Sequence, residues 1–321
     1  MKHITVIGPG RWGSFIAYYL QTIGHNVTLY GRQDSPQMKQ LLDHRQNDYL
    51  HLPKDLKLEI DLDKALEAPI IVISINSQNL RDLLKEINAK NIHDKTFVLC
   101  MKGIEISSQK RLSEIVDEEI SFDHKVACWI GPGHPQEFVK GNPNAMVIDS
   151  NDRQLVLDLI DEFSSPLIRF YVGEDLIGNE IGAAAKNVMG IAAGLLDGIH
   201  LSSLKGALMS RGCAEVSRLI RAMGGNPLSA YGLCHLGDYE ATVFSKYSNN
   251  RAFGEAFIRQ EPFEKLAEGY YTTQAMVKLG ETYEVDLPIT KAVYEITIEK
   301  KDPQEVLRRL FLRSTKAEFY T

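Results

Sequence analysis

Short apolar runs alternate with amphipathic stretches through the first half of the chain. Runs at 3–7, 26–30, 70–75, 96–100, 126–130 and 145–149, with a last one at 168–172, predict β-strands. Between the first two, Phe15, Ile16, Tyr19 and Leu20 recur at helical spacing. This alternation predicts an α/β domain with a doubly wound, Rossmann-like sheet. The pattern changes at about residue 178. From Glu180 to Leu196 the chain is rich in Ala, Ile, Val and Gly, with apolar residues on most faces, which predicts a helix buried along its length. Further helices are predicted at 205–223, 228–234, 251–260, 271–284, 288–297 and 303–311. Pro227, Pro288 and Pro303 stand near three of their starts, where a missing N–H costs little. The division is therefore 1–178 for the α/β domain and 179–321 for an all-α domain, with a cleft between them.

The first chemical signal lies directly after the first strand. Gly8-Pro9-Gly10-Arg11-Trp12-Gly13 is a G-x-G-x-x-G turn between a strand and a helix. Gly8 permits the tight turn, Gly10 lets the backbone approach a pyrophosphate, and Gly13 lets helix and strand pack closely. The second strand, Asn26-Val27-Thr28-Leu29-Tyr30, follows at the βαβ distance. About 20 residues past the glycines an Asp or Glu would read a ribose 2′-OH and favour NAD. Here the sequence is Tyr30-Gly31-Arg32-Gln33, and the first acid is Asp34. Arg32 can pair with a 2′-phosphate, so NADP(H) is the favoured cofactor and NAD(H) the alternative.

Composition narrows the partners. The 321 residues suffice for two domains, and a net charge of −6 gives no electrostatic case for nucleic acid or a membrane surface. No stretch is apolar enough to span a bilayer and no basic leader precedes the first strand, so a cytoplasmic location is expected. Cys100, Cys128, Cys213 and Cys234 form no C-x-x-C and read as reduced thiols; no metal site is expected.

Taken together, the chain resembles the bacterial NAD(P)-dependent sn-glycerol-3-phosphate dehydrogenases from end to end. The glycine turn resembles the family's G-x-G-x-W-G, and Ser77-Gln78 its PSQ, with Ile75-Asn76 before it in place of Val-Pro. Lys102-Gly103-Ile104-Glu105 resembles KGLE, Gly131-Pro132 the start of GPSFA, and Lys186-Asn187-Val188 the LKNV segment. Gly237-Asp238 resembles the centre of GLGDL, and Asn250-Arg251 with Phe253-Gly254 the end of SRNRRFG. Glu268-Gly269 and Leu287-Pro288-Ile289-Thr290 also fit.

The resemblance implies hydride transfer between a nicotinamide and C2 of dihydroxyacetone phosphate or glycerol 3-phosphate. As hydride arrives, the carbonyl oxygen gains negative charge and needs a proton donor. Lys186 matches the catalytic lysine, and partial desolvation in its Ala-rich helix would lower its pKa toward the working range. Asp238 matches the aspartate that orients it, and Lys102 a residue touching both substrate and cofactor. Gly8, Gly10, Arg11, Trp12, Gly13, Arg32, Ser77, Lys102, Pro135 and Glu268 would bind cofactor. Gly131, Gly133, His134, Asn187, Thr242, Ser248, Asn249, Asn250 and Arg251 would line the substrate site.

Two departures stand out. Asn249-Asn250 replaces the family's Arg-Asn, and neutral Asn249 cannot offer phosphate a charged fork. Arg251, Lys246 and His134 are the sequence neighbours that could compensate. Gly133-His134-Pro135 replaces Ser-Phe-Ala and brings in a titratable group. Three readings follow: a glycerol-3-phosphate dehydrogenase serving lipid synthesis, a divergent paralogue acting on another small keto or hydroxy compound, or a non-catalytic NADP(H) sensor. Retention of Lys186, Lys102 and Asp238 speaks against the last. A homodimer is the family's common assembly, but no self-complementary patch is evident in the sequence.

Overall fold

The structure is a computed structural model that describes residues 1–315, 317 and 318. Its first half is one eight-stranded sheet: β1 (His3–Ile7), β2 (Asn26–Tyr30), β3 (Lys57–Glu59), β4 (Ile70–Ile73), β5 (Lys95–Leu99), β6 (His124–Ile130), β7 (Asn144–Asp149) and β8 (Ile168–Val172). The order is β3-β2-β1-β4-β5-β6-β7-β8, parallel except between β6 and β7. Val6 pairs with Leu29 on one side and Val72 on the other, and all three are fully buried. Burial on both faces is why these strands read as continuous apolar runs. The sheet is wound outward in both directions from β1, which opens a crevice at the carboxyl ends of β1 and β4.

Helices α1 (Arg11–Thr22), α2 (Pro36–His44), α3 (Leu62–Ala65), α4 (Leu80–Asn88), α5 (Leu112–Glu119), α6 (Pro135–Val139) and α7 (Arg153–Phe163) connect the strands. The second half contains α8 (Leu176–Gly198), α9 (Lys205–Ala222), α10 (Asn249–Arg259), α11 (Glu268–Thr282), α12 (Pro288–Thr297) and α13 (Pro303–Phe311). α8 is its axis, packed against α9, α10 and α11, and nearly every residue along it is buried. That follows from an Ala- and Gly-rich sequence with no polar face.

Two polar clamps tie α8 to the sheet domain. Glu180 accepts from Arg111 Nη1 at 2.7 Å, from the Ser113 amide at 3.0 Å and from Ser113 Oγ at 2.6 Å, at the start of α5. Asn179 Nδ2 donates to Asp149 Oδ2 at 2.6 Å, at the end of β7. The α8 residues that follow are thus held in a fixed relation to the carboxyl edge of the sheet.

Several expected elements differ in extent. The expected helix at 228–234 is a 3₁₀ turn at Pro227–Tyr231, capped by the Asn226 side chain and ended at Gly232 in extended backbone. The three-residue edge strand β3 was not expected; its sequence, Lys-Leu-Glu, carries no apolar run. The strand expected at 70–75 ends at Ile73. A 3₁₀ turn at Leu236–Asp238 and a π-helix at Glu240–Phe244 were also not expected.

Candidate active site

The glycine turn closes at the end of β1. Gly8 has φ +113°, and a Cβ there would lie 2.2 Å from the Ser74 carbonyl oxygen; a Cβ on Gly13 would lie 2.0 Å from the Gly8 oxygen. Gly10, the residue before α1, would meet nothing within 4 Å and leaves open space above the helix start. No side chain caps α1 and its first turn holds no acid. The turn therefore fits a pyrophosphate: an approachable backbone at an uncapped, positive helix end.

This turn forms one end of a cavity of about 1030 Å³. Lys102, His134, Lys186, Thr242 and Asn249 line the same cavity. At the floor, Lys102 Nζ and Lys186 Nζ lie 2.7 Å and 2.9 Å from the same oxygen, Asp238 Oδ2. Lys102 also donates to the Gly131 carbonyl at 2.6 Å, and Lys186 to Thr242 Oγ1 at 2.9 Å. The other oxygen, Asp238 Oδ1, is buried and has no hydrogen-bond partner among the described residues. Two ammonium groups thus share one buried carboxylate directly behind the cavity wall.

The electrostatics suit proton transfer. Burial lowers the pKa of Lys186 to about 8; Asp238 pulls it up, and Lys102 pushes it down. Glu268, at the start of α11 on the same cavity, is raised by burial to about 7 against the pull of both lysines. Around them runs a chain of amides: Asn187 Nδ2 donates to the Lys102 carbonyl at 3.1 Å, Asn250 Nδ2 to Asn187 Oδ1 at 2.9 Å, and the Gly269 amide to Asn250 Oδ1 at 2.9 Å. It links the loop after β5 with α8, α10 and α11, so the elements carrying the site are mutually positioned.

Most expected site residues meet at this cavity: Gly8, Gly10, Arg11, Trp12, Arg32, Lys102, Gly133, His134, Pro135, Lys186, Asn187, Thr242, Ser248, Asn249, Asn250 and Glu268. Asp238 lies just behind its wall. Others do not reach it. Gly13 packs beneath the turn, Ser77 is buried with its Oγ accepting from Gln78, and Gly131 contributes only the carbonyl to Lys102.

Arg251 requires a correction. Its guanidinium pairs with Asp197 at 2.8 Å and Glu255 at 3.3 Å and does not line the cavity. Lys246 lies over the ring of Tyr247, 5.4 Å from its centre, and does not itself line the cavity. His134 is in the wall, but its Nε2 donates to the Ala241 carbonyl at 2.8 Å. Burial, reinforced by Lys186, lowers its pKa to about 4, so it is neutral near pH 7. None of the three supplies the charge that Asn249 lacks. Asn249 itself donates to the Leu266 carbonyl at 3.1 Å.

The cavity also uses residues the sequence did not single out. Tyr247 packs edge-on to His134 with ring centres 5.6 Å apart, and Tyr30 and Ala241 complete walls. A lone loop tyrosine and a strand-end tyrosine carry no motif.

Two family models match, described as the N-terminus of NAD-dependent glycerol-3-phosphate dehydrogenase over residues 3–156 and its C-terminus over residues 175–308. Glycerol-3-phosphate dehydrogenase [NAD(P)+] from Thermoanaerobacter sp. (strain X514) is 34% identical, covering 99% of both chains. The corresponding protein from Desulfitobacterium hafniense is 34% identical over 99% of this chain and 93% of its own. A crystal structure of glycerol-3-phosphate dehydrogenase from Coxiella burnetii superposes with a TM-score of 0.91 at 28% identity, covering 97% of this chain and 99% of that one. D-Mandelate dehydrogenase in complex with NADH shares the fold, with a TM-score of 0.65 at 15% identity over 94% of this chain and 98% of its own. With a sheet domain and a helical domain each matched along their lengths, the chain belongs to the NAD-dependent glycerol-3-phosphate dehydrogenase family.

Proposed function

We propose that this chain interconverts dihydroxyacetone phosphate and sn-glycerol 3-phosphate with a nicotinamide dinucleotide, in the cytoplasm, as a source of glycerophospholipid precursor. Residues 1–178 would hold the dinucleotide and 179–321 the substrate and the acid/base group. The observation that carries this reading is the convergence of Lys102 and Lys186 on one oxygen of Asp238, in the cavity that begins at the glycine turn. When bound, the nicotinamide supplies or accepts the hydride at C2. Lys186 holds the proton that passes to the C2 oxygen in reduction and takes it back in oxidation. Asp238 keeps that ammonium charged despite burial and orients it from behind the cavity wall. Lys102 adds positive charge where the oxyanion forms.

The direct test is NAD(P)H oxidation against a panel of phosphorylated and unphosphorylated ketones, and dihydroxyacetone phosphate should be the best of them. Asn249 favours one competing reading, a paralogue for an unphosphorylated ketone. Failure to turn over dihydroxyacetone phosphate while another ketone reacts would establish it.

NADP(H) is the proposed preference. Arg32 stands at the end of β2 on the cavity, and its pair with Glu86 at 3.0 Å is largely exposed. Such a pair is weak enough for a 2′-phosphate to compete for the guanidinium. Wild-type enzyme should show a lower KM for NADPH than for NADH, and Arg32→Ala should narrow the gap roughly tenfold or more. A wild type preferring NADH would refute the assignment.

Substrate phosphate should be held less tightly than a charged fork would hold it. Of the lining residues, only Arg11, Arg32, Lys102 and Lys186 carry full positive charge, and two of these are engaged at Asp238. Asn249→Arg should lower KM for dihydroxyacetone phosphate by roughly tenfold or more with little change in kcat. A phosphate contact remote from the reacting carbon acts on ground and transition states alike. An unchanged KM would mean that the phosphate is seated elsewhere.

A further inference from the structure

Asp238 and Thr242 both reach Lys186 from a short irregular segment, and a side-chain pair outside the cavity holds that segment. His235 and Tyr239 flank the 3₁₀ turn Leu236–Asp238, and both are 0% exposed. His235 Nδ1 lies 2.9 Å from the Gly182 carbonyl, and His235 Nε2 lies 2.7 Å from the Tyr239 hydroxyl. A carbonyl can only accept, so Nδ1 carries the proton and Nε2 accepts from the tyrosine. Burial keeps this imidazole neutral, with its pKa near 4.

The pair works at two levels. The Tyr239–His235 bond ties together the two ends of the turn that carries Asp238. The bond to Gly182 ties that turn to α8 one helical turn before Lys186. The Tyr239 carbonyl, just before the π-helix, then accepts at 3.1 Å from the amide of Thr242, the other Lys186 partner, which that helix carries. Two glycines make room for the rings. A Cβ on Gly182 would sit 3.1 Å from His235 Cβ, and one on Gly212 of α9 would sit 2.9 Å from the Tyr239 hydroxyl oxygen. The GLGDL motif quoted above has glycine and leucine where this chain has His235 and Tyr239, so the bridge is a feature of this chain's own residues.

We propose that His235 and Tyr239 are positioning residues that set the placement of Asp238 and Thr242 against the Lys186 ammonium. This rests on the reading of Lys186 as the acid/base group, but its primary test does not need turnover. Lys186 faces Asp238 and Thr242 from this segment, Lys102 from the end of β5, Glu268 from α11 and His134 from the loop after β6. Of these, Asp238 pulls its pKa up most. If the bridge is cut and the carboxylate drifts, Lys186 must titrate lower.

The experiment is competitive acetylation of the intact protein across a pH series, with modification of Lys186 read by mass spectrometry. Wild type should show half-reactivity near pH 8. In Tyr239→Phe the half-point should fall by about half a unit or more. With dihydroxyacetone phosphate, kcat should fall about tenfold at nearly unchanged KM, the signature of an interaction expressed in the transition state. The double variant Tyr239→Phe/His235→Leu removes both polar partners and leaves no orphan on either side chain. Its thermal stability should recover toward wild type while the Lys186 half-point and kcat do not.

A Tyr239→Phe protein that loses only thermal stability, with wild-type titration and kcat, overturns the proposal. So does a double variant that regains the wild-type half-point. Should Tyr239→Phe fail to fold, the double variant decides alone. A wild type inert toward dihydroxyacetone phosphate would defeat the proposed substrate and leave the titration test standing.

Discussion

Lys186→Ala should cut turnover by about 10²–10⁴-fold, the range that positioned acid–base catalysis supplies, while leaving binding of the nicotinamide dinucleotide nearly intact. The ammonium, carried on α8, is bonded to Asp238 and Thr242, whereas the glycine turn lies at the end of β1. Cofactor affinity, read by fluorescence titration, should therefore hardly move. The pH profile gives a second readout. Reduction needs Lys186 protonated, so its rate should be full well below pH 8 and fall as pH rises through about 8. Oxidation needs the free amine and should rise through the same point. A variant keeping more than about a tenth of wild-type kcat would remove Lys186 as the proton donor.

Glu180→Ala should destabilise the fold by about 3–5 kcal/mol, because it strands a buried guanidinium. Arg111 is largely buried, and its bond to Glu180 is joined by two more from Ser113 to the same carboxylate. Deleting the acid leaves Arg111 with the more exposed Glu114 as its remaining ion pair. Denaturant unfolding would measure the loss, and a change under about 1 kcal/mol would show that the clamp carries little of the stability. Activity at low temperature should survive better than stability, since Glu180 does not line the cavity.

The parts of this molecule that could be read from sequence are those whose cause is local. The strands were legible because a parallel sheet covered on both sides needs unbroken apolar runs. β3 was not, because an edge strand of three residues with polar ends has no such need. Lys186 stood out as the one lysine in an Ala-rich run. Asp238 did not stand out on its own chemistry, and only its resemblance to a known motif singled it out.

Arg251 shows the opposite failure. It looked available because it adjoins Asn249 and Asn250, but its partner Asp197 lies 54 residues away in the chain, and no local pattern announces such a bond. The irregular stretch from His235 to Phe244 was illegible for the same reason. Its shape follows from rings packed against glycines of two distant helices.

The π-helix at Glu240–Phe244 makes the wall of the cavity sensitive to chain length as well as to side-chain identity. A π-turn is an α-turn widened by one residue. Removing a single residue from it would let the segment relax toward ordinary helical winding and swing Thr242 about 100° around the axis, away from Lys186. Restoring one residue would swing it back. Descendants of this chain could thus exchange the hydroxyl beside the ammonium for a neighbouring side chain through one codon lost or gained. Such an indel would alter the proton-handling group's surroundings in a single evolutionary step, leaving the sheet, the glycine turn and the lysine pair untouched.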